Sequence, residues 1–149
     1  MIKQLLILTA FALLMCRCNS VSNKLKNNLG NLNGQWVFHN DKQEENWQLE
    51  ICYNDKSKSG TYVLSKYLDS WGGNNDKVKI ISKGPFELIE GHDIYGDKAY
   101  VGKNKNDKSS VFAITQIENS ISGEWLLRIR IIEDEMFGKQ MDKLSNNCD

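Results

Sequence analysis

The chain has 149 residues with 19 basic and 19 acidic side chains, and its formal net charge is zero. This balance produces no strong electric field toward nucleic acid or an anionic membrane surface, so we expect neither as a partner. The length is typical of a single domain with a substantial hydrophobic core.

The first 20 residues have the layout of a secretory signal. Lys3 precedes an uncharged apolar run, Leu5 to Met15. A short polar segment, residues 16–20, follows the run. A run of 11 residues is too short to cross a bilayer as a helix, which needs about 20 apolar residues. Because the run is apolar on all sides, a buried helix of the folded domain is the weaker interpretation. We therefore predict an exported protein whose residues 1–20 are a signal peptide.

The end of this segment, Leu13-Leu14-Met15-Cys16, resembles a bacterial lipoprotein signal. The match lies in the first leucine and the cysteine, whereas the family prefers a small residue at the position of Met15. The resemblance implies that Cys16 receives lipid and anchors the protein in the cell envelope, as an outer-membrane lipoprotein facing the periplasm. Cys18 is an alternative acceptor. Ordinary cleavage after Ser20 would instead give a soluble periplasmic or secreted protein. We favour Cys16.

Residues 21–33 are rich in Asn and Ser and have few apolar side chains. This composition predicts a flexible tether between the membrane and a single domain over residues 34–149. Loss of residues 1–20 would remove Lys3 and Arg17 and leave 17 basic and 19 acidic residues, a net charge of −2 (17 − 19). That small charge does not change the expectation about nucleic acid.

From Gly34 onward, apolar residues alternate with polar ones, which is the pattern of half-buried strands. The clearest stretches have an apolar side chain at every second position: Trp47, Leu49, Ile51 and Tyr53, then Trp125, Leu127, Ile129 and Ile131. The segment Val111 to Ile117 is apolar on both faces, so we expect it to be covered on both sides. Turns rich in Gly, Asn and Asp separate the runs, including turns at Gly84-Pro85 and Gly91. The pattern predicts a mainly β fold, an antiparallel meander of about eight strands.

The C-terminal residues 132–144 follow a different pattern. Apolar residues recur there at helical spacing: Ile132, Met136, Phe137, Met141 and Leu144. Acidic residues come first and Lys139 and Lys143 come later, an order that suits a helix dipole. The segment is therefore compatible with a short C-terminal helix, although Gly138 lowers its helix propensity.

A glycine two positions before an aromatic residue occurs in Gly34-Gln35-Trp36, Gly60-Thr61-Tyr62 and Gly123-Glu124-Trp125. The first unit resembles the Gly-x-Trp of the first strand of lipocalins, and the set is similar to that of avidin-like barrels. Both families are eight-stranded antiparallel barrels whose mouth holds a small ligand. The resemblance therefore implies a closed barrel, with Trp36 at its floor. Closure would also remove the exposed edge strands of an open sheet.

Aromatic residues near the ends of the predicted strands are candidates for a binding site at the barrel mouth: Trp47, Tyr67, Trp71, Tyr95 and Tyr100. A barrel of about eight strands leaves an interior just large enough for side chains or one small ligand. Trp71 lies in a polar, glycine-rich loop, where an exposed tryptophan would serve as an anchor for a partner. The same residue would equally well fold back onto the end of the barrel.

Two cysteines, Cys52 and Cys148, lie outside the signal region. In an exported protein they would meet an oxidising compartment, so we predict a disulfide between them in preference to two thiols. A bridge closing so long a loop would contribute about 3–5 kcal/mol in the chain-entropy model. The two cysteines have no C-x-x-C spacing, so neither a zinc site nor a redox site is indicated.

Catalytic patterns are weak. His92 lies next to Asp93 and His39 lies near several acidic residues, but neither group has the spacing of metal ligands. The chain contains no Gly-x-Ser-x-Gly, no P-loop and no Gly-x-Gly-x-x-Gly. We expect a protein that is not an enzyme and that uses no cofactor or metal. A hydrolase that uses His92 and Asp93 is a minor hypothesis.

The sequence thus leads to two main hypotheses of function. The first is an exported, lipid-anchored, non-enzymatic binding protein whose lipocalin-like barrel holds a small apolar ligand. The second is a periplasmic immunity protein or inhibitor that neutralises a toxin or hydrolase through the loops around Trp71, Asp76 and Glu90. An apolar cavity would favour the first hypothesis, and a filled barrel with an exposed loop surface would favour the second.

Overall fold

A computed structural model describes residues 23–40, 45–68, 77–118, 120–132 and 138–148 of the chain. The predicted signal peptide with Cys16 and Cys18, and the loop that carries Trp71, lie outside the described residues. Within the described ranges, no helix is long and apolar enough to cross a membrane.

Eight antiparallel strands follow one another around a closed barrel in sequence order, and the last pairs with the first. Their bounds are β1 Gly34–Asn40, β2 Glu45–Asn54, β3 Ser59–Leu68, β4 Lys77–His92, β5 Lys98–Asn104, β6 Ser110–Glu118, β7 Trp125–Ile131 and β8 Gln140–Ser145. The predicted fold class, a mainly β meander that closes into a barrel of about eight strands, is confirmed.

Burial follows the alternation in β2. All four residues of its apolar series, Trp47, Leu49, Ile51 and Tyr53, are buried, whereas the residues between them are partly exposed. Successive side chains of a strand point to opposite faces, so one face of β2 lines the interior and the other meets solvent.

Strand β4 is the longest of these eight strands, and it pairs with a different neighbour along each of its two halves. Residues 77–87 pair with β3, and residues 86–92 pair with β5. The turns predicted at Gly84-Pro85 and Gly91 are therefore wrong, since both sites lie within this continuous strand. Pro85 comes one residue before the pairing with β5 begins, so its missing N–H removes no hydrogen bond on that side.

Aromatic side chains fill part of the barrel interior: Tyr53, Tyr62, Phe86 and Phe112. The ring centres of Phe86 and Phe112 are 5.2 Å apart with an angle of 72° between the planes, the edge-to-face arrangement that aromatic pairs prefer. The buried hydroxyl of Tyr62 lies 2.6 Å from Ser82 Oγ and accepts a hydrogen bond from Asn104 Nδ2 at 3.1 Å. This region of the interior is therefore occupied by packed side chains with their polar atoms bonded.

The chain before β1 is helical and packs against one end of the barrel. Helix α1, Asn23–Asn28, continues into a 3-10 helix, Leu29–Leu32. Leu25, Leu29 and Leu32 are buried there. Their spacing of four and three residues gives the segment one apolar face, which covers the barrel end. The flexible tether predicted for residues 21–33 is thus replaced, in its described part, by a packed helical segment.

Trp36 joins this helical segment to the barrel. Its side chain is buried, and its indole Nε1 donates a hydrogen bond to the carbonyl oxygen of Leu32 at 3.0 Å. The neighbouring Asn33 side chain accepts a hydrogen bond from the backbone N–H of Tyr53 at 2.5 Å. Trp36 therefore lies at the end of the barrel that the helical segment closes.

The described C-terminal residues form a strand where we predicted a helix. In β8, Met141 is buried and pairs with Ile129 of β7, while Lys143 pairs with Trp36 of β1. Strand β8 thus supplies the hydrogen bonds that the edges of β1 and β7 would otherwise lack, and this pairing outweighs the local helical spacing. Residues 133–137 of the predicted helix lie outside the described residues.

Strand β6 is buried on both faces over residues 111–115, as predicted, whereas Ile117 near its end is 36% exposed. Phe112 and Ile114 are fully buried in the core, while Val111 and Ala113 on the opposite face are each 1% exposed. Arg130 of β7 is the register partner of Ala113 and lies on the same outer face.

The β4–β5 hairpin, residues 93–97, is attached to this outer face by an ion pair. The fully buried Asp93 side chain accepts a hydrogen bond from the guanidinium of Arg130. Its other oxygen accepts hydrogen bonds from the backbone N–H groups of Tyr95 and Asp97, at 2.9 and 3.0 Å. The Arg130 guanidinium lies 4.5 Å from the centre of the Tyr95 ring, within cation–π range.

Candidate functional site

Strands β7 and β8 separate before they reach the barrel end that the helical segment covers. The pairs that they share are Ile129↔Met141 and Arg130↔Gln140. Further along, β7 stays paired with β6 as far as Trp125, whereas β8 pairs with β1. The two strands therefore diverge, and a gap opens in the barrel wall.

A cleft with a volume of ≈ 340 Å³ occupies this gap. Its apolar lining comprises Trp36, Ile117, Trp125, Leu126, Leu127 and Met141, and its polar lining comprises Asn31, Gln140, Asp142, Lys143 and Asn146. Small-molecule sites have volumes of about 300–1,000 Å³ and apolar walls with a few polar groups that orient the ligand. The β7–β8 cleft has both properties.

The cleft continues outward along the helical segment. This outer part has a volume of ≈ 570 Å³, is wider open, and is lined by Asn27, Asn28, Asn31, Glu124, Trp125 and Leu126. The side-chain amide of Asn28 donates a hydrogen bond to the carbonyl oxygen of Trp125 at 3.4 Å. The helical segment thus forms one border of a continuous groove that leads into the β7–β8 cleft.

Apolar side chains are exposed to solvent at the cleft rim. Trp125 is 36% exposed and Leu126 is 47% exposed. Single exposed apolar residues are ordinary, but adjacent ones on the wall of a concave site form a surface that a ligand would cover favourably.

Lys143 is the cationic side chain of the cleft lining. Its ammonium nitrogen donates a hydrogen bond to the carbonyl oxygen of Asn31 at 2.5 Å and lies 5.2 Å from the centre of the Trp36 ring. Burial lowers the pKa of Lys143, because the surrounding apolar walls make the charged form less favourable. The cleft therefore combines an apolar wall with one positive charge that remains accessible to solvent.

The tyrosines that we predicted to line one mouth lie on different parts of the barrel. Tyr67 is half-buried on β3, where it pairs with Val78. Tyr95 is 68% exposed on the β4–β5 hairpin, and Tyr100 is buried on β5 opposite Ile114. These three residues do not contribute to the lining of the β7–β8 cleft.

The two cysteines are thiols, so the predicted Cys52–Cys148 disulfide is not present. The Cys148 thiol instead donates a hydrogen bond to the carbonyl oxygen of Ile51 at 3.2 Å, one residue away from Cys52. The C-terminal residues therefore lie close to Cys52 of β2, but the contact is to the backbone.

The residues of the minor hydrolase hypothesis have different environments. His92 is exposed at the end of β4, whereas the Asp93 carboxylate is buried and bonded to Arg130 and to two backbone N–H groups. Both oxygens of Asp93 therefore bind groups of the hairpin and Arg130, and among the described residues no hydrogen bond joins Asp93 to His92. Among the described residues, no group of three or more His, Cys, Asp and Glu side chains is arranged to hold a metal ion.

The sequence analysis did not identify the residues that form the β7–β8 cleft. Lys143 and Met141 lay in the predicted helix, and Asn31 lay in the predicted tether. Leu127 packs against the core, as its alternating series predicts, and also lines the cleft, whereas Trp125 of the same series is 36% exposed at the rim. The adjacent apolar residues Trp125 and Leu126 at the start of a strand were the one local signal, because they break the alternation there.

Comparison with known proteins identified no relative. No protein-family model matches the chain, and neither a curated protein nor a solved structure shows significant similarity to it.

Proposed function

We propose that this protein is an exported, non-enzymatic binding protein that holds a small apolar ligand in the β7–β8 cleft. The observation that carries the proposal is the gap itself. Two neighbouring strands of a closed barrel diverge, and the space between them is lined mainly by apolar side chains, two of which are partly exposed at its rim.

The packed aromatic cluster inside the barrel favours this position over the mouth that we predicted. Phe86, Phe112 and Tyr62 pack against one another across the interior. A ligand at the β7–β8 cleft would need no rearrangement of these rings. It would contact Trp36 and Met141 from the side and cover Leu126.

Export and anchoring belong to the same proposal. Lipid on Cys16 places the barrel at the membrane surface of the cell envelope, where apolar ligands are concentrated. An intact mass of protein purified from cell membranes tests this part. A lipidated Cys16 at the N-terminus supports it, whereas a chain that begins at Val21 without lipid would show that the protein is released after cleavage at Ser20.

The binding test uses N-phenyl-1-naphthylamine, an uncharged apolar fluorophore. We expect one saturable site, with fluorescence energy transfer from the tryptophans of the cleft. Leu126→Gln should weaken binding about tenfold or more, because it removes apolar area from the ligand contact at an exposed position. Ile80→Gln on β4 is the matched control, since Ile80 is 51% exposed and lies away from the cleft.

Two outcomes would reject the cleft as the binding site. One is the absence of saturable binding to the wild-type protein. The other is equal affinity of the wild-type and Leu126→Gln proteins.

A second candidate function has its own observation. Tyr67, Val78 and Ile80 lie on the paired strands β3 and β4, beside the loop that carries Trp71, and Val78 and Ile80 are each about half exposed. Such a surface suits a protein partner, as expected for an immunity protein or inhibitor. Val78→Asp should then abolish capture of a toxin or hydrolase partner while leaving fluorophore binding unchanged.

A further inference from the structure

We propose that the ligand of the β7–β8 cleft is an amphiphile with a single carboxylate head, and that Lys143 binds that carboxylate. This inference rests on the proposed binding function and goes beyond it by assigning the ligand class and the residue that selects it.

The first argument is the position of Lys143. Its register partner on β1 is Trp36, whose ring lies 5.2 Å below the ammonium group. The ammonium group also bonds to Asn31, a residue common to the inner and outer parts of the groove. A head group bound to Lys143 would therefore lie near the groove entrance, with its tail along the apolar wall.

The second argument is the pairing of the charges. Lys26, Lys58 and Lys108 each form an ion pair with a carboxylate at the barrel surface. Within the described part of the chain, Lys143 has no carboxylate at ion-pair distance, and its bonds are to a neutral carbonyl and an aromatic ring. Because Lys143 is exposed, an added anion can reach its ammonium group without displacing a carboxylate of the protein.

The third argument concerns the charge and size of the ligand. Asp142 lines the cleft and Glu124 lines its outer part, so one positive charge faces two negative ones around the groove. This balance favours one negative charge on the head group over two. Amide side chains of Gln140 and Asn146 are available as additional hydrogen-bond donors.

The size of the cleft limits the length of the ligand. A volume of ≈ 340 Å³ is at the small end for a ligand site, which favours a medium-length chain over a whole phospholipid.

The experiment compares two ligands of equal chain length, decanoate and 1-decanol, below the micelle concentration. Each displaces N-phenyl-1-naphthylamine from the full-length protein, and titration calorimetry confirms the affinities. We expect decanoate to bind the wild-type protein about tenfold or more tightly than decanol, the effect of one charge-assisted hydrogen bond.

Lys143→Met should remove this preference, so that decanoate and decanol bind the variant with similar affinity. Lys143→Arg should retain the preference, because the guanidinium keeps the charge and the donors. Lys83→Met, an exposed lysine of β4 away from the cleft, is the control and should behave like the wild-type protein.

The outcomes separate the two proposals. Equal affinities of the wild-type protein for decanoate and decanol, or a preference that survives Lys143→Met, would overturn the assignment of the carboxylate to Lys143 while fluorophore binding still supports the cleft. If neither ligand displaces the bound fluorophore, the amphiphile assignment fails although the apolar site stands. If the fluorophore does not bind at all, both proposals fail.

Discussion

The ring of Phe112 occupies the space directly over Gly102. The two residues are register partners on β6 and β5, and a Cβ atom added to Gly102 would lie within 3.0 Å of three ring atoms of Phe112. The same ring packs edge-to-face against Phe86 at 5.2 Å, so it cannot move aside without disturbing the aromatic cluster of the interior. The absence of a side chain at Gly102 is thus a packing requirement of the core.

We therefore expect Gly102→Ala to lower the free energy of unfolding by about 1–3 kcal/mol, the usual cost of an added methyl group in a packed core. Urea denaturation followed by tryptophan fluorescence measures the change. Gly30→Ala is the matched control, because nothing lies within 4 Å of a Cβ at that position. Phe112→Leu should partly rescue Gly102→Ala, and strict additivity of the two substitutions would contradict the contact.

The buried ion pair between Asp93 and Arg130 gives the second prediction. Asp93→Asn keeps an oxygen for the N–H groups of Tyr95 and Asp97 but leaves Arg130, 12% exposed, without its charge partner. We expect a loss of about 3–5 kcal/mol in the free energy of unfolding, because removal of one member of a buried pair leaves an uncompensated charge. Thermal and urea denaturation provide the measurement.

The control for this pair is Glu87→Gln, which removes the exposed ion pair between Lys108 and Glu87. Its expected effect is below about 0.5 kcal/mol, as for surface pairs in general. Equal effects of the buried and exposed substitutions would mean that Asp93 is not anchored as described.

The helical segment before β1 gives the third prediction. Leu29 is fully buried against the barrel end, so Leu29→Ala should lower the free energy of unfolding by about 2–5 kcal/mol through lost burial and a residual cavity. Asn27→Ala, at an exposed position of α1, is the control. If residues 23–32 were a flexible tether, Leu29→Ala would have no effect on stability.

The strands of the barrel could be predicted from the sequence because the alternation of apolar and polar residues that indicates them is a local pattern. In β2 the alternation from Trp47 to Tyr53 indicates which face of the strand is buried, and the turn residues indicate where strands end. The exception is β4, where Gly84-Pro85 suggested a turn. That segment stays extended because β4 changes its partner from β3 to β5 there, and a change of partner leaves no local pattern.

The C-terminal strand was missed for a similar reason. Leu144 is an extra residue of β8 opposite the step from Gln35 to Trp36, where the register with β1 shifts. Met141 is buried and Leu144 is 62% exposed, because residues three apart in a strand point to opposite faces, although the same spacing matches one face of a helix. The spacing of the apolar residues is thus compatible with a helix, and only the pairing with β1 and β7 distinguishes the strand from it.

The candidate site could not be predicted because it depends on how two strands diverge. The β7–β8 cleft exists because β8 leaves β7 after Met141 and joins β1, a relationship that involves residues far apart in sequence. Leu127 packs against the core, whereas Trp125 at the start of the same alternating series is 36% exposed beside the gap. The sequence gives the type of each lining residue. Their arrangement around a gap depends on which distant strands pair, and no local pattern shows this.

The last prediction concerns stability at alkaline pH. Burial raises the pKa of both Tyr53 and Tyr100 above the ordinary value for tyrosine. The folded chain therefore holds these two phenol protons to higher pH than the unfolded chain, whose tyrosines titrate near pH ~10. The stabilisation is complete below that pH and is lost as the pH rises through the folded-state pKa values of the two residues.

Urea denaturation across this alkaline range should show a free energy of unfolding that falls as the pH rises. Tyr53→Phe or Tyr100→Phe should reduce the slope of this fall with pH. Ile80→Gln, at an exposed position without a titratable group, should leave the slope unchanged, and an equal slope in the wild-type protein and both phenylalanine variants would exclude these two tyrosines as the cause.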